Sequence, residues 1–324
     1  MKRAEVGSTG VAVTALGFGG ATIGNLYRPI DDETAHAAVA AAWDGGVRYF
    51  DTAPHYGLGL SERRLGRALQ GRPRDQYTLS TKVGRLLAPN PSPAGSDLNT
   101  GGFAVPDDLV RVRSYSRDGV LRSIESSLER LGLDRIDIVY VHDPEDYMDA
   151  AIAEAVPALV ELRQQRVVGA VGAGMNYVEP LRRFVAEADV DVVMVAGRWT
   201  LVDRRAEPLL SESSEADVGV VAAAPFNSGL LARRQPAEDA MFDYDRAPAD
   251  VLEVARACAR ACESRGAELP AAALQFPLRH PAVVSVVAGM RTPAQVDTNL
   301  AWINAEIDAR LWSELPAPAR PDGG

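Results

Sequence analysis

An eightfold alternation of short apolar runs with helical stretches is the feature of this sequence that most constrains its fold. We interpret the apolar runs as strands, at 15–20, 47–50, 77–80, 136–141, 167–171, 190–195, 218–222 and 283–287. The runs do not alternate apolar with polar residues, which is typical of parallel strands covered by helices on both faces. Eight such units in 324 residues predict an α/β fold, the (β/α)8 TIM barrel.

A doubly wound parallel sheet is the competing fold, and the first strand argues against it. That fold carries a G-x-G-x-x-G fingerprint after its first strand. The segment 18–24, Phe-Gly-Gly-Ala-Thr-Ile-Gly, contains glycines without that spacing. We therefore expect a single barrel domain over 1–324, preceded by a β-hairpin with arms at 3–6 and 11–14.

The composition limits the kinds of partner and the cellular compartment that we expect for this protein. The net charge of -10, without any cluster of Lys and Arg, argues against a nucleic-acid partner. The chain lacks both the apolar core of a secretory signal and a run of about 18 apolar residues, so we expect a cytoplasmic protein without a membrane partner.

Cys258 and Cys262 lie in an Ala-rich helical stretch with no further ligands suggested. Small buried thiols are therefore favoured over a metal or redox pair, and we predict no metal site.

A connection of more than thirty residues, from Gly84 to Arg117, interrupts the regular alternation. It is rich in proline, glycine and asparagine. Connections of this length inside a compact domain are usually functional lids or disordered insertions. Because it follows the third strand, we expect it to cover a substrate pocket at the active face, with an inert insertion as the alternative.

Polar residues stand at the ends of three consecutive strands. Asp51 follows the second strand, Lys82 the third and His142 the fourth, while Tyr56 lies in the loop after the second strand. Taken singly, each has an ordinary structural explanation as a cap, a solvated charge or a packing residue. Neighbouring parallel strands lie about 4.8 Å apart, so together these four side chains can meet in one small volume.

These four residue types suit proton transfer at an oxygen atom. A tyrosine hydroxyl has a pKa near 10 and is a poor acid or base at neutral pH. A neighbouring ammonium lowers that pKa, a carboxylate holds the ammonium in place, and a histidine can orient the reacting oxygen. Such a set fits the interconversion of a carbonyl and an alcohol, for which a cofactor must supply or accept the hydride.

Over nearly its whole length the chain resembles the aldo-keto reductases. The motifs that carry the resemblance are Phe-Asp-Thr-Ala-Pro-His-Tyr-Gly at 50–57, Ser-Thr-Lys at 80–82 and Val-His-Asp-Pro at 141–144. The resemblance implies that Tyr56 is the general acid/base, that Lys82 tunes it, that Asp51 pairs with Lys82 and that His142 positions the substrate oxygen.

The resemblance also implies an NAD(P) cofactor. Its predicted contacts are Gly20, Ala21, Asp51, Asn176, Phe226, Asn227, Ser228, Gly229, Leu230, Gly289, Met290, Arg291, Gln295 and Asn299. The segment 225–230 resembles the family loop that covers the pyrophosphate, and 288–292 precedes a helix start suited to phosphate. The sequence departs from the family at the carboxamide site, where 172–176 replaces the usual Ser-Asn and the usual glutamine after the sixth strand is absent.

Cofactor preference rests on few basic residues. A 2′-phosphate favours Arg or Lys partners. Arg291 is present, but positions 290 and 295 are Met and Gln. We therefore expect both cofactors to be used, with NAD at least competitive with NADP.

Further motifs resemble the sugar-oxidising branch of the family, which includes L-fucose, L-galactose and D-threo-aldose 1-dehydrogenases, with pyridoxal 4-dehydrogenase as a near relative. They are 55–62, 196–201 and 225–229. The resemblance implies a small-molecule substrate, an aldose, oxidised at C1 to a lactone, with Tyr56 and His142 at the reacting oxygen. His55 is a further candidate substrate contact, with a solvent-exposed loop histidine as the alternative. A general aldehyde or ketone reductase is one alternative, and a non-catalytic regulatory subunit that binds the cofactor is another, against which the complete set of four residues argues.

Overall fold

The computed structural model describes residues 1–318, and positions 319–324 of the predicted domain lie outside that range. The strands are β1 Arg3–Glu5, β2 Ala12–Thr14, β3 Leu16–Gly19, β4 Tyr49–Asp51, β5 Thr78–Val83, β6 Arg85–Pro89, β7 Leu109–Arg113, β8 Ile136–His142, β9 Val168–Met175, β10 Val192–Ala196, β11 Gly219–Ala223, β12 Met241–Phe242, β13 Asp245–Arg246 and β14 Val283–Gly289. Eight of these form a closed parallel barrel in the spatial order β10-β11-β14-β3-β4-β5-β8-β9. The predicted TIM barrel is confirmed.

Helices follow the barrel strands and cover their outer face. They are α1 Asp32–Asp44, α2 Leu60–Leu69, α3 Arg117–Leu131, α4 Met148–Ala150, α5 Val156–Gln164, α6 Val178–Glu187, α7 Glu207–Glu215, α8 Ala249–Ser264, α9 Leu269–Gln275, α10 Pro293–Ile303 and α11 Leu311–Glu314. A π-helical segment, Ala151–Ala155, joins α4 to α5. Side-chain caps begin several helices, as where the Asp31 carboxylate accepts from the Thr34 amide at 2.7 Å.

The register of the strands fixes which residues are neighbours at the barrel mouth. Asp51 on β4 stands opposite Ser80 on β5. Lys82, two residues further along β5, stands opposite Tyr140 on β8. Lys82 therefore lies inside β5, which ends at Val83; the prediction that it follows the strand was wrong, because the strand continues further toward the mouth.

Apolar side chains fill two layers. The larger layer lies between the barrel and the helices, and the smaller one fills the barrel interior. Two tyrosines, Tyr49 and Tyr140, belong to the interior and are fully buried. Glycines make room for them, since a Cβ atom on Gly17 would lie 2.7 Å from the Tyr49 ring and one on Gly172 would lie 3.0 Å from the Tyr140 ring.

The predicted N-terminal hairpin closes the lower end of the barrel. β1 and β2 pair antiparallel, with Ala4 opposite Val13. Val6 and Val13 are fully buried and join the interior cluster. The hydroxyl of Thr78, at the start of β5, donates to the Ala12 carbonyl at 2.6 Å. The hairpin therefore seals the amino-terminal ends of the strands and leaves the opposite mouth for chemistry.

The long connection after β5 is ordered instead of irregular. β6 and β7 form an antiparallel hairpin, with Arg85 opposite Arg113, and a short 3-10 helix, Asp97–Asn99, lies between them. A second small hairpin, β12 with β13, was not predicted. We call residues 84–116 the insertion.

The two cysteines lie on α8. Both are free and buried among apolar side chains, as the sequence predicted for small buried thiols. Residues 1–318 contain no group of three or more His, Cys, Asp or Glu side chains placed to hold a metal ion. Within the described part of the chain, every helix is too short or too polar to cross a lipid bilayer.

Candidate active site

The four residues predicted from the strand ends converge at the barrel mouth. The Lys82 ammonium lies 2.8 Å from each carboxylate oxygen of Asp51 and donates to the Thr52 carbonyl at 2.9 Å. Burial would lower the pKa of Lys82, but Asp51 and then Tyr56 outweigh it, so the pKa lies above its usual value. The lysine is therefore charged and held at a fixed position.

Tyr56 reaches the same site from the loop after β4. The Lys82 nitrogen lies 4.8 Å from the centre of the Tyr56 ring. Burial raises the pKa of Tyr56 to about 12, and the charge of Lys82 offsets only part of that increase. The predicted lowering by Lys82 is present, but desolvation of the phenol outweighs it, so the net pKa of Tyr56 lies above its usual value.

His142, the last residue of β8, stands beside Tyr56 with its ring nearly perpendicular, at 89° and 6.0 Å between centroids. Burial lowers its pKa well below the usual value, and the positive charges of Arg85 and Lys82 lower it further. The imidazole is therefore neutral. Its Nε2 lies 3.4 Å from an Asp143 carboxylate oxygen, and its buried Nδ1 has no partner among residues 1–318.

The insertion packs directly on this site. Phe103 contacts His55 edge-on, with ring centroids 5.2 Å apart, and lies 6.0 Å from the Tyr56 ring. Arg111 donates to the His55 carbonyl at 2.9 Å while its guanidinium pairs with both oxygens of Asp97. The insertion is thus tied to the loop that carries Tyr56.

An ion pair joins the insertion to Asp143, the residue that follows His142. The Arg85 guanidinium pairs with the Asp143 carboxylate and lies 3.3 Å from His55 Nδ1. Burial and then the charge of Arg85 lower the pKa of His55 to about 2, so this ring is neutral too. Sequence reasoning missed both Arg85 and Asp143. The available signals were the place of Asp143 in the 141–144 motif and that of Arg85 at the start of the insertion.

The backbone at Asp143 is held in an unusual conformation. Its φ is +43°, in the left-handed region. The Asp143 carbonyl accepts from the Tyr115 hydroxyl at 2.8 Å and from Arg113. The Tyr115 hydroxyl also lies 2.7 Å from the His142 carbonyl, so its single hydrogen is shared between the two carbonyls. These contacts fix the turn that follows β8 and, with it, the orientation of Asp143.

The segments with predicted cofactor contacts leave neighbouring strands. In the barrel order β11, β14, β3 and β4 are adjacent, and they are followed by the strands that carry Lys82 and His142. The turn after β11 contains three consecutive residues with positive φ, Asn227, Ser228 and Gly229. The side-chain Nδ2 of Asn227 donates to the Gly197 carbonyl at 3.0 Å, while its buried Oδ1 has no partner in the described chain. At Gly229 the Cβ direction is open.

The segment after β14 is built around Arg291. Its guanidinium donates to the Leu26 carbonyl at 2.7 Å, and its buried Nε has no partner within residues 1–318. The Arg291 amide donates to the Gln295 side chain at 2.8 Å. Met290 and Asn299 are buried. Arg291 is thus already partly engaged with the protein backbone.

Three further predicted contacts, Gly20, Ala21 and Asn176, lie on both sides of the mouth. Gly20 follows β3 and lies so close to β4 that a Cβ atom would stand 2.6 Å from the Asp51 carbonyl oxygen. Ala21 follows it and is half-buried. Asn176 lies just past β9, half-buried, and its carbonyl accepts from Arg198 at 2.9 Å. Arg198, which also pairs with Asp243 on the second hairpin at 2.8 Å, was missed by sequence reasoning.

These residues fit a dinucleotide cofactor. The buried polar atoms without partners, Asn227 Oδ1 and Arg291 Nε, and the open side of Gly229 lie in the loops that follow β11 and β14. A guanidinium with a free donor suits phosphate, and a buried amide oxygen needs a donor. A separate groove of about 1110 Å³ lies outside the barrel between α2 and α3. It is lined by residues such as Arg67, Gln70 and Glu129 and by none of the predicted site residues.

Comparison with known proteins gives the same assignment as the fold and the site. The aldo/keto reductase family model matches residues 15–317. The chain belongs to this family and is an oxidoreductase. Enzymes of the family use NAD(P)(H) and act on small-molecule substrates.

Individual relatives cover nearly the whole chain. It is similar to a D-threo-aldose 1-dehydrogenase from a Pseudomonas species, with 49% identity over 95% of this chain and 94% of the relative. It is 38% identical to a pyridoxal 4-dehydrogenase from Microbacterium luteolum, over 97% and 96% of the two chains. The holo form of an aldo-keto reductase from Bacillus halodurans superposes with a TM-score of 0.79 at 25% identity, covering 99% of each chain.

Proposed function

We propose that this protein is an NAD(P)-dependent aldose 1-dehydrogenase. It would oxidise the anomeric carbon of an aldose of the L-fucose, L-galactose or D-threo type and release the lactone. The observation that carries the proposal is the cluster that the half-buried Tyr56 forms with the buried side chains of Lys82, Asp51 and His142. The 49% identity to a D-threo-aldose 1-dehydrogenase supports the substrate class.

Tyr56 is the proposed general acid/base. During oxidation it accepts the proton of the anomeric hydroxyl, and during reduction it donates that proton to the carbonyl oxygen. With a pKa of about 12, Tyr56 is a neutral phenol at neutral pH and is ready to act as an acid. To act as a base it must be ionised, and the ammonium of Lys82 stabilises the phenolate that forms.

His142 is the proposed positioning group for the substrate oxygen. Because its ring is neutral, it places no positive charge beside Tyr56. A neutral imidazole with one N–H can donate a single hydrogen bond to the reacting oxygen. Its place beside the Tyr56 ring puts that donor near the phenol.

The cofactor is proposed to lie across the loops after β11, β14 and β3. Asn227, Ser228 and Gly229 would line the pyrophosphate, Arg291 and Asn299 the adenosine end, and Asn176 the carboxamide. When bound, the nicotinamide ring supplies the carbon that accepts or donates the hydride. Arg291 is the one basic residue of the predicted set and already donates to Leu26, which supports use of NAD beside NADP.

The substrate pocket is proposed to lie beneath the insertion. Phe103 and His55 form its apolar and aromatic wall beside Tyr56. Arg85 and Asp143 place a charged pair at the same rim. Such a mixture of one aromatic surface and several polar groups suits a polyhydroxylated ring.

A substrate screen followed by NADH absorbance tests this function. L-fucose, L-galactose, D-arabinose and pyridoxal are each offered with NAD and with NADP. Turnover of at least one aldose with formation of its lactone is expected. Turnover of pyridoxal alone would move the assignment to a pyridoxal 4-dehydrogenase, the activity of the 38% identical relative. If NADPH reduces simple aldehydes rapidly in a parallel assay and no sugar is oxidised, the protein is a general reductase.

A further inference from the structure

A chain of hydroxyl groups runs from the active site into the barrel interior. Ser80 lies 2.7 Å from Asp51 Oδ1 and 3.1 Å from the Tyr49 hydroxyl, which in turn lies 3.0 Å from the Tyr140 hydroxyl. The Ser80, Tyr49 and Tyr140 side chains are fully buried. The proposed reaction uses none of these three groups directly.

The direction of every hydrogen bond in the chain follows from the carboxylate. Asp51 can only accept, so the single hydrogen of Ser80 points to it. Tyr49 must then donate to Ser80, and Tyr140 must donate to Tyr49. Burial raises the pKa of both tyrosines well above 10, so neither loses its proton at ordinary pH. All three hydroxyl groups therefore point their hydrogens toward Asp51 and polarise one another.

Simple packing does not account for these tyrosines. The interior of such barrels is usually filled with branched aliphatic side chains. Here two glycines, Gly17 and Gly172, leave room for the two phenol rings. A buried hydroxyl stabilises a protein only when it is hydrogen-bonded, and these bond to each other and to the carboxylate that holds Lys82.

We propose that Tyr49 and Tyr140, acting through Ser80, are positioning residues that lessen the hold of Asp51 on the Lys82 proton. Donors directed at Asp51 reduce the negative charge that faces Lys82. The positive charge of Lys82 is then less neutralised by Asp51, and it stabilises the Tyr56 phenolate more strongly. The inference rests on the proposed role of Tyr56 and deepens it. It names the groups that determine how strongly Lys82 stabilises the Tyr56 phenolate.

Two phenylalanine variants test the chain. Tyr49→Phe keeps the ring but breaks the chain and leaves the Tyr140 hydroxyl without a partner. The double variant Tyr49→Phe/Tyr140→Phe also breaks the chain but leaves no such hydroxyl. We expect oxidation at neutral pH to slow about twofold to fourfold in both, with KM unchanged, because Ser80 still donates to Asp51 and only the strengthening of that bond by the two tyrosines is lost. The alkaline rise of the rate should move to higher pH in both variants.

Thermal stability separates this effect from damage to the core. Tm should fall in Tyr49→Phe and recover at least partly in the double variant, while the kinetic change stays equal in the two. Ser285→Ala is the matched control, since its buried hydroxyl on β14 donates to the Thr14 carbonyl at 2.8 Å and has no link to Asp51. It should leave the pH profile unchanged.

A measurement without turnover completes the test. The sequence contains only two lysines, Lys2 and Lys82, and Lys2 is exposed. In protein labelled with ¹³C,¹⁵N-lysine, the buried signal is therefore that of Lys82. Its Cε and Nζ shifts should change in the single and double variants and not in Ser285→Ala.

Unchanged Lys82 signals and a wild-type pH profile in both tyrosine variants would overturn the inference. So would a kinetic loss that disappears in the double variant together with the loss of Tm. Failure of the proposed function is distinguishable, since the wild-type protein would then oxidise no aldose, while the Lys82 signals would still report on the chain.

Discussion

The Lys82 ammonium is held 2.8 Å from both carboxylate oxygens of Asp51, and both side chains are almost completely buried. Two charges removed from water are tolerated only when each is paired and hydrogen-bonded. Here the third contact of Lys82, to the Thr52 carbonyl, completes that requirement. The arrangement places a permanent positive charge beside a phenol whose own pKa burial has raised.

Replacement of Tyr56 should abolish turnover without preventing cofactor binding. Tyr56→Phe removes the only proposed acid/base group, so kcat should fall about 10²- to 10⁴-fold. Binding of NADH, followed by its fluorescence, should remain within about threefold of wild type. Tyr77→Phe is the control, because Tyr77 lies just before β5 at the other end of the barrel. If Tyr56→Phe retains most of its activity, another residue carries the proton.

The two reaction directions should differ in their pH dependence. The phenolate fraction of a group with a pKa of about 12 rises tenfold per pH unit below that value. Oxidation should therefore accelerate from pH 7 to pH 10, while reduction, which needs the phenol, should stay nearly constant. Profiles of kcat/KM in both directions check this.

The same pH profiles test the protonation state of His55 and His142. The pKa values of His55 and His142 both lie below the usual range, the first at about 2. No ionisation near pH 6.5 is therefore expected in either direction. A break near that value, removed by His142→Gln, would show that the ring titrates in the working enzyme.

Loss of Arg85 should weaken substrate binding more than cofactor binding. Arg85→Gln removes the partner of the Asp143 carboxylate, a charged hydrogen bond of about 1.5–3 kcal/mol. We expect KM for the sugar to rise about tenfold and the Kd for NADH to stay unchanged. Arg117→Gln, which breaks an exposed pair with Glu161, is the control and should change neither. Equal KM values in wild type and Arg85→Gln would show that Arg85 and the insertion do not contribute to substrate binding.

Cofactor preference should be modest and should depend on Arg291. We expect kcat/KM for NAD to be at least comparable with that for NADP. Arg291→Gln should lower the NADP value about tenfold and the NAD value by less than about threefold, since only NADP carries the 2′-phosphate. A wild-type preference for NADP beyond about a hundredfold, which is about 2.7 kcal/mol, would contradict the expected use of NAD.

The alternation of apolar runs and helical stretches sufficed to predict the barrel, and the polar residues at successive strand ends sufficed to predict which side chains meet. Both follow from local patterns, since parallel strands place their carboxyl ends together whatever the intervening sequence. The insertion was located correctly, but its hairpin was not predicted, because charged residues such as Arg85 and Arg111 obscure its pattern.

Only the tertiary structure decided the pairings that act over long separations. The Arg85–Asp143 pair spans 58 positions and the contact of Tyr49 with Tyr140 spans 91, and no periodicity links such residues. The net pKa of Tyr56 was also beyond the sequence, since it is a balance between burial and the Lys82 charge. The sequence therefore determined which chemical groups reach the barrel mouth. The packing around them decided how strongly each one is charged, because desolvation depends on depth in the folded protein.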